Sequence, residues 1–170
     1  MQQKPLKALF IGGVKSGKSR LAEAFILTRY NGAKPYYLAT TELLDSEMQQ
    51  RISEHQARRQ QAFDTIDVPI ELLSTVSVLT RPVLIECVTM WLNNLIYYGQ
   101  SDETILAELT AVASLPQDLV FVVNEVGCGI IPDNALARRF VDLSGKASQL
   151  LASYCDVVFF CSAGLALPLK

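Results

Sequence analysis

The sequence predicts an α/β fold in which one mostly parallel sheet carries helices on both faces. Three observations lead there. Short apolar, β-branched segments alternate with helical ones along the chain. A glycine-rich loop joins the first strand-like segment to the first helical one. With 170 residues, 50% hydrophobic and 19% charged, the chain has enough apolar material for a sizeable core and a length that favours one domain over 1–170.

The elements follow in order. Leu6-Lys7-Ala8-Leu9-Phe10-Ile11 reads as the first strand, 6–11. Residues 18–29 read as a helix that opens directly from the glycine loop. A second strand is expected at 35–39 and a long helix at 41–60, where Leu44, Met48, Ile52 and His55 form one stripe at helical spacing. Val83-Leu84-Ile85-Glu86 gives a strand at 82–86, followed by helices at 87–97 and 102–113. A further strand at 119–123, a helix at 133–153 and a strand at 156–162 complete the alternation. The segment 164–170 has room for a short strand, antiparallel in sense. No linker, repeat or low-complexity tract interrupts this order.

The loop Gly12-Gly13-Val14-Lys15-Ser16-Gly17-Lys18-Ser19 fits G-x-x-x-x-G-K-[ST] at every fixed position. The strand before it and the helix after it are the context that makes this a phosphate-binding loop rather than a Gly/Ser-rich turn. Backbone N–H groups curl around phosphate oxygens there, and the helix N-terminus adds a favourable dipole. Lys18 is expected to reach the β- and γ-phosphates from an open, solvent-filled site, and the Ser19 hydroxyl to bind Mg²⁺. Glu86 closes an apolar strand in the manner of a Walker B carboxylate, the second expected Mg²⁺ group. Glu125, after the strand at 119–123, is a second carboxylate at the same sheet edge, or else a loop acid that caps a turn.

Charge and composition exclude other classes. The net charge is −2 and the pI about 5.4, without a basic block, so no nucleic-acid partner is expected. Arginines cluster at Arg51, Arg58 and Arg59 and at Arg138 and Arg139; such pairs are either solvated helix faces or suited to a phosphate-rich ligand. The N-terminus lacks the apolar core of a signal peptide, and no apolar run approaches the ~20 residues needed to span a bilayer, so a cytoplasmic protein without a transmembrane segment is expected. Cys87, Cys128, Cys155 and Cys161 have no C-x-x-C spacing. Three are expected as buried thiols, and Cys128, between two glycines, as an exposed one. His55 is the sole histidine; the residues alone favour a structural role on an amphipathic helix, although neighbouring arginines suit phosphate chemistry.

The chain resembles the bifunctional adenosylcobinamide kinase/adenosylcobinamide-phosphate guanylyltransferase family of cobalamin biosynthesis. The resemblance spans almost the whole chain. It rests on Gly12 to Arg20, Tyr37-Leu38-Ala39-Thr40, Glu47 to His55, Glu86 to Leu95, Asn124 to Pro132 and Asn134 to Phe140, in matching order and spacing. It implies a RecA-like phosphate-loop fold assembled as a homotrimer. It also implies two reactions: ATP or GTP phosphorylates adenosylcobinamide, and GTP then transfers GMP to that phosphate, giving adenosylcobinamide-GDP and pyrophosphate. By this resemblance His55 becomes the nucleophile that carries GMP, with Lys18 beside it in catalysis. The implied GTP contacts are Gly12, Gly13, Val14, Lys15, Ser16, Gly17, Lys18, Ser19, Thr40, Thr41, Glu42, Gln56, Ala57, Arg58, Arg59, Asp67 and Glu86, with Mg²⁺ on Ser19 and Glu86.

Three positions depart from the family pattern. Lys15 stands where arginine is usual, Phe63 where tryptophan is common, and Gly145-Lys146-Ala147-Ser148-Gln149 replaces a stretch that usually carries arginine and asparagine. Two rival readings predict different behaviour. A plain small-molecule kinase would label its acceptor from γ-labelled nucleotide and never carry GMP itself. A nucleotide-binding regulatory module would bind GTP or ATP and release no pyrophosphate.

Overall fold

The computed structural model describes residues 5–29, 32–42 and 61–170. Among them, seven strands form one sheet in the order β3-β2-β4-β5-β1-β6-β7. In chain order the elements are β1 (Lys7–Gly12), α1 (Lys18–Leu27), β2 (Tyr36–Ala39), β3 (Asp64–Asp67), α2 (Leu72–Ser77) and β4 (Val83–Glu86). There follow α3 (Val88–Tyr97), α4 (Asp102–Ser114), β5 (Leu119–Asn124), α5 (Ala135–Tyr154), β6 (Val157–Ser162) and β7 (Leu165–Pro168). All neighbours pair in parallel except β6 and β7, the antiparallel edge expected from the C-terminal segment.

The central strands read as continuous apolar runs because both of their faces are covered. On β1, Leu9 and Ile11 pack into one core with Phe121 and Val123 of β5, and Ala8 and Phe10 pack into the other with Val120 and Val122. The first core is closed by α2 to α5 through residues such as Leu72, Trp91, Leu109 and Leu151. The second is closed by α1 through Ala22 and Ile26, with Phe10, Phe25 and Phe159 in mutual ring contact.

The expected strands and helices appear within one or two residues of their predicted bounds, apart from the helix at 41–60, which lies almost wholly outside the described residues. Two elements were not anticipated. Strand β3 reads Asp-Thr-Ile-Asp and sits at the sheet edge with three of its four residues exposed, so it carries no apolar run. Helix α2 is only six residues long, too short for a helical period to register. Cys87, Cys155 and Cys161 are buried and Cys128 is exposed, as expected.

Candidate functional site

The C-terminal ends of β1, β4 and β5 meet at the phosphate-type loop, where open parallel sheets place their ligands. Gly12 ends β1 opposite Asn124 of β5 and Cys161 of β6. A Cβ on Gly12 would sit 2.3 Å from the Cys161 carbonyl oxygen and 2.8 Å from Ser16 Oγ, so only glycine fits. The loop then turns tightly: the Ser16 N–H donates to the Gly13 carbonyl at 3.2 Å. Gly17, at φ +91°, is the N-cap of α1 and supplies no side-chain cap, which leaves the leading N–H groups of the helix for an anion. The β6–β7 turn braces this loop from outside, the Gly164 N–H donating to the Ser16 carbonyl at 2.9 Å. Sequence reasoning missed that brace, since it joins segments 148 positions apart.

Within the loop, Val14 and Lys15 are exposed, and Lys15 adopts a positive φ of 61°. Lys18 does not point into open solvent, as the sequence had led us to expect. It is 7% exposed, and its Nζ donates to the Gly13 carbonyl at 3.2 Å, because the loop closes back over its own lysine. Ser16 Oγ is buried and makes no hydrogen bond to a described residue.

Ser19, one residue into α1, donates from its hydroxyl to Glu86 Oε1 at 2.7 Å. A hydroxyl and a carboxylate side by side are hard oxygen donors, and their pairing at a phosphate loop fits Mg²⁺, which takes one or two protein oxygens and fills the rest of its shell with phosphate and water.

Thr40, at the end of β2, is fully buried. Its hydroxyl donates to the Cys87 carbonyl at 2.6 Å and accepts from the Cys87 N–H at 2.8 Å, tying β2 to the end of β4. Thr41 is half-buried, and Glu42 accepts the Tyr98 hydroxyl at 2.7 Å. Asp67 is exposed at the end of β3, in register with Ala39. His55, Gln56, Ala57, Arg58 and Arg59 lie outside the described residues, as does Arg51.

Glu125 resolves to a turn cap: its Oε1 accepts the Gly127 N–H at 2.6 Å. Arg138 and Arg139 are not set aside for a phosphate ligand. Arg138 donates to the carbonyls of Pro132 and Asp133, and Arg139 pairs with Asp102 at 2.8 Å. Gly145 and Ser148 of the departing stretch line a cavity of about 30 Å³ together with Asn124, Glu125 and Ser144, beside the strand end that flanks Gly12. Phe63 is buried edge-on against Tyr37, which keeps the second core closed without an indole.

The model of the cobinamide kinase / cobinamide phosphate guanyltransferase family matches residues 8–169. The chain belongs to this family. The bifunctional adenosylcobalamin biosynthesis protein CobP of Pseudomonas aeruginosa is 39% identical over 97% of this chain and 98% of its own length. The corresponding CobU protein of Escherichia coli is 33% identical over 95% of this chain and 98% of its own. Among solved structures, the flagellar accessory protein FlaH of Methanocaldococcus jannaschii aligns with a TM-score of 0.52 at 15% identity, covering 98% of this chain and 79% of that one. A KaiC-like protein of Pyrococcus horikoshii aligns at 0.51 and 10% identity, covering 92% and 71%. These likenesses carry the fold alone. They place this cobinamide kinase/guanyltransferase family member on the RecA-like phosphate-loop sheet expected from its sequence.

Proposed function

We propose that the protein phosphorylates adenosylcobinamide with ATP or GTP and then transfers GMP from GTP, by way of His55, to give adenosylcobinamide-GDP and pyrophosphate. The observation that carries this reading is the Ser19–Glu86 pair at the mouth of a closed phosphate loop, in a chain whose family is a kinase and guanyltransferase. Loop N–H groups and Lys18 hold the β- and γ-phosphates. The His55 imidazole attacks the α-phosphorus, a P–N bond forms, and the bond from that phosphorus to the β-bridging oxygen breaks, releasing pyrophosphate. The acceptor phosphate then displaces the histidine, so one hard displacement becomes two easier ones. Mg²⁺, held by Ser19 and Glu86, would offset the charge on the departing pyrophosphate. Thr41, Glu42, Gln56, Ala57, Arg58, Arg59 and Asp67 complete the GTP contacts in this reading; Thr40, expected among them, is fully buried with its hydroxyl bonded to Cys87 and supports the end of β2 instead.

The same reading takes the protein as a homotrimer working in the cytoplasm. No helix among the described residues is long and apolar enough to cross a membrane.

Incubation with Mg²⁺ and GTP labelled at the α-phosphate is expected to leave label on the protein, whereas γ-label is not. Label retained from neither position, with pyrophosphate never released, reduces the protein to one of the two rival readings.

A further inference from the structure

Arg20 follows Ser19 in the first turn of α1. Successive residues of a helix point about 100° apart around its axis. Ser19 turns to Glu86, at the end of β4. Arg20 turns to the other flank of the loop, where a Cβ on Gly164 would lie 3.5 Å from Arg20 Nη2. In the sheet, β4 and the β6–β7 turn stand on opposite sides of β1, the strand that feeds the loop. The turn is in direct contact with that loop. The Gly164 N–H donates to the Ser16 carbonyl at 2.9 Å, and a Cβ on Gly17 would meet the Gly164 Cα at 2.9 Å. Helical side chains lean toward the N-terminus of their helix, so a long side chain in the first turn reaches back over the chain that leads into it.

The fold itself occupies the other described arginines. Arg29 pairs with Asp118, Arg81 with Asp64 and Arg139 with Asp102, while Arg138 donates to two carbonyls. Arg20 is exposed, and it makes no hydrogen bond or ion pair to a described residue. A guanidinium held beside a phosphate loop and not engaged in the fold is suited to an anion.

We propose that Arg20 binds the α-phosphate of the nucleotide. The inference rests on the functional reading above. In that reading Lys18 holds the β- and γ-phosphates, and the pyrophosphate end faces the Ser19–Glu86 pair on the β4 side. The loop and helix start cradle the α-phosphate next to the β-phosphate. The nucleotide therefore runs from the β4 side toward the β6–β7 side, and its α-phosphate meets Arg20. A guanidinium fork donates two parallel hydrogen bonds to two phosphate oxygens, which an ammonium cannot match. Losing such a charge-assisted contact at an exposed site is expected to cost about tenfold in affinity.

The test is calorimetric binding of GTP and of pyrophosphate, both with Mg²⁺, to Arg20→Ala and Arg20→Lys. Pyrophosphate fills the β- and γ-phosphate positions alone. In Arg20→Ala, GTP affinity is expected to fall about tenfold, while pyrophosphate affinity and Tm stay at their wild-type values. Arg20→Lys, which keeps the charge and loses the fork, should fall between the two. Wild-type GTP affinity in Arg20→Ala overturns the inference alone. So does a parallel loss for GTP and pyrophosphate, since that would make Arg20 a prop of the β6–β7 turn. A wild-type protein that binds neither ligand overturns the functional reading and this inference with it.

Discussion

Ser19 and Glu86 are 67 positions apart in sequence, yet the serine hydroxyl donates to the Glu86 carboxylate at 2.7 Å. The contact forms because β4 and β1 flank the same strand, β5, and end at the same edge of the sheet. In Glu86→Gln the amide oxygen still accepts from Ser19, so the local geometry persists while the charge is lost. Nucleotide binding is expected to survive, and pyrophosphate release to slow by about 10²-fold with a weakened dependence on Mg²⁺. Rates measured across a Mg²⁺ titration check this. An unchanged rate and Mg²⁺ dependence would make Glu86 a structural residue.

Gly17 and Gly164 give the second prediction. A Cβ on Gly17 would lie 2.9 Å from the Gly164 Cα, a backbone atom that cannot swing aside, and Gly17 sits at φ +91°. In Gly17→Ala both the backbone strain, about 1–2 kcal/mol, and the clash with the β6–β7 turn oppose the native loop. Tm is expected to fall by several degrees and nucleotide affinity by at least about tenfold. Thermal melts with and without GTP separate the two effects. A variant that melts and binds like the wild type would show that the turn gives way freely.

The sheet was legible because its central strands are buried on both faces and so read as unbroken apolar runs. Edge strand β3 was not, since water covers much of it and its two aspartates remove the pattern. The phosphate loop was legible because backbone approach demands glycine at fixed spacing. What surrounds it was harder to read. Asn94 is an amide buried among Trp91, Leu92 and Leu95 of its helix, and that mismatch was a signal of two long-range backbone bonds. Arg139 pairs with an aspartate 37 positions away, which local sequence does not encode, whereas Lys18 and Arg138 fold back onto carbonyls five or six positions before them, a turn geometry that residue types alone do not reveal.

The four thiols should differ sharply in reactivity. Burial pushes Cys155 up to about 12, and it also raises Cys87 and Cys161, whereas Cys128 is exposed. A disulfide reagent at pH 8 is expected to titrate one thiol rapidly in the native protein and four after denaturation. The raised Cys155 value also sets a sign for stability. Between pH 9 and about 12 the folded state holds a proton that the unfolded state has released, so stability present below pH 9 is lost as pH rises through that window. Two or more fast native thiols would contradict the burial of these side chains.

His55→Ala provides the most discriminating prediction. If His55 carries GMP, the variant should neither take α-label from GTP nor form adenosylcobinamide-GDP. It should still phosphorylate adenosylcobinamide, because that step needs the phosphate loop but not the imidazole. The wild-type adduct should be acid-labile and base-stable, as a phosphoramidate is, which distinguishes it from a serine ester. The split between half-reactions matters because a folding defect would remove both together. Guanylyltransfer by His55→Ala at an undiminished rate, or an adduct that survives acid, would rule out the histidine route and leave direct transfer from GTP to the acceptor phosphate.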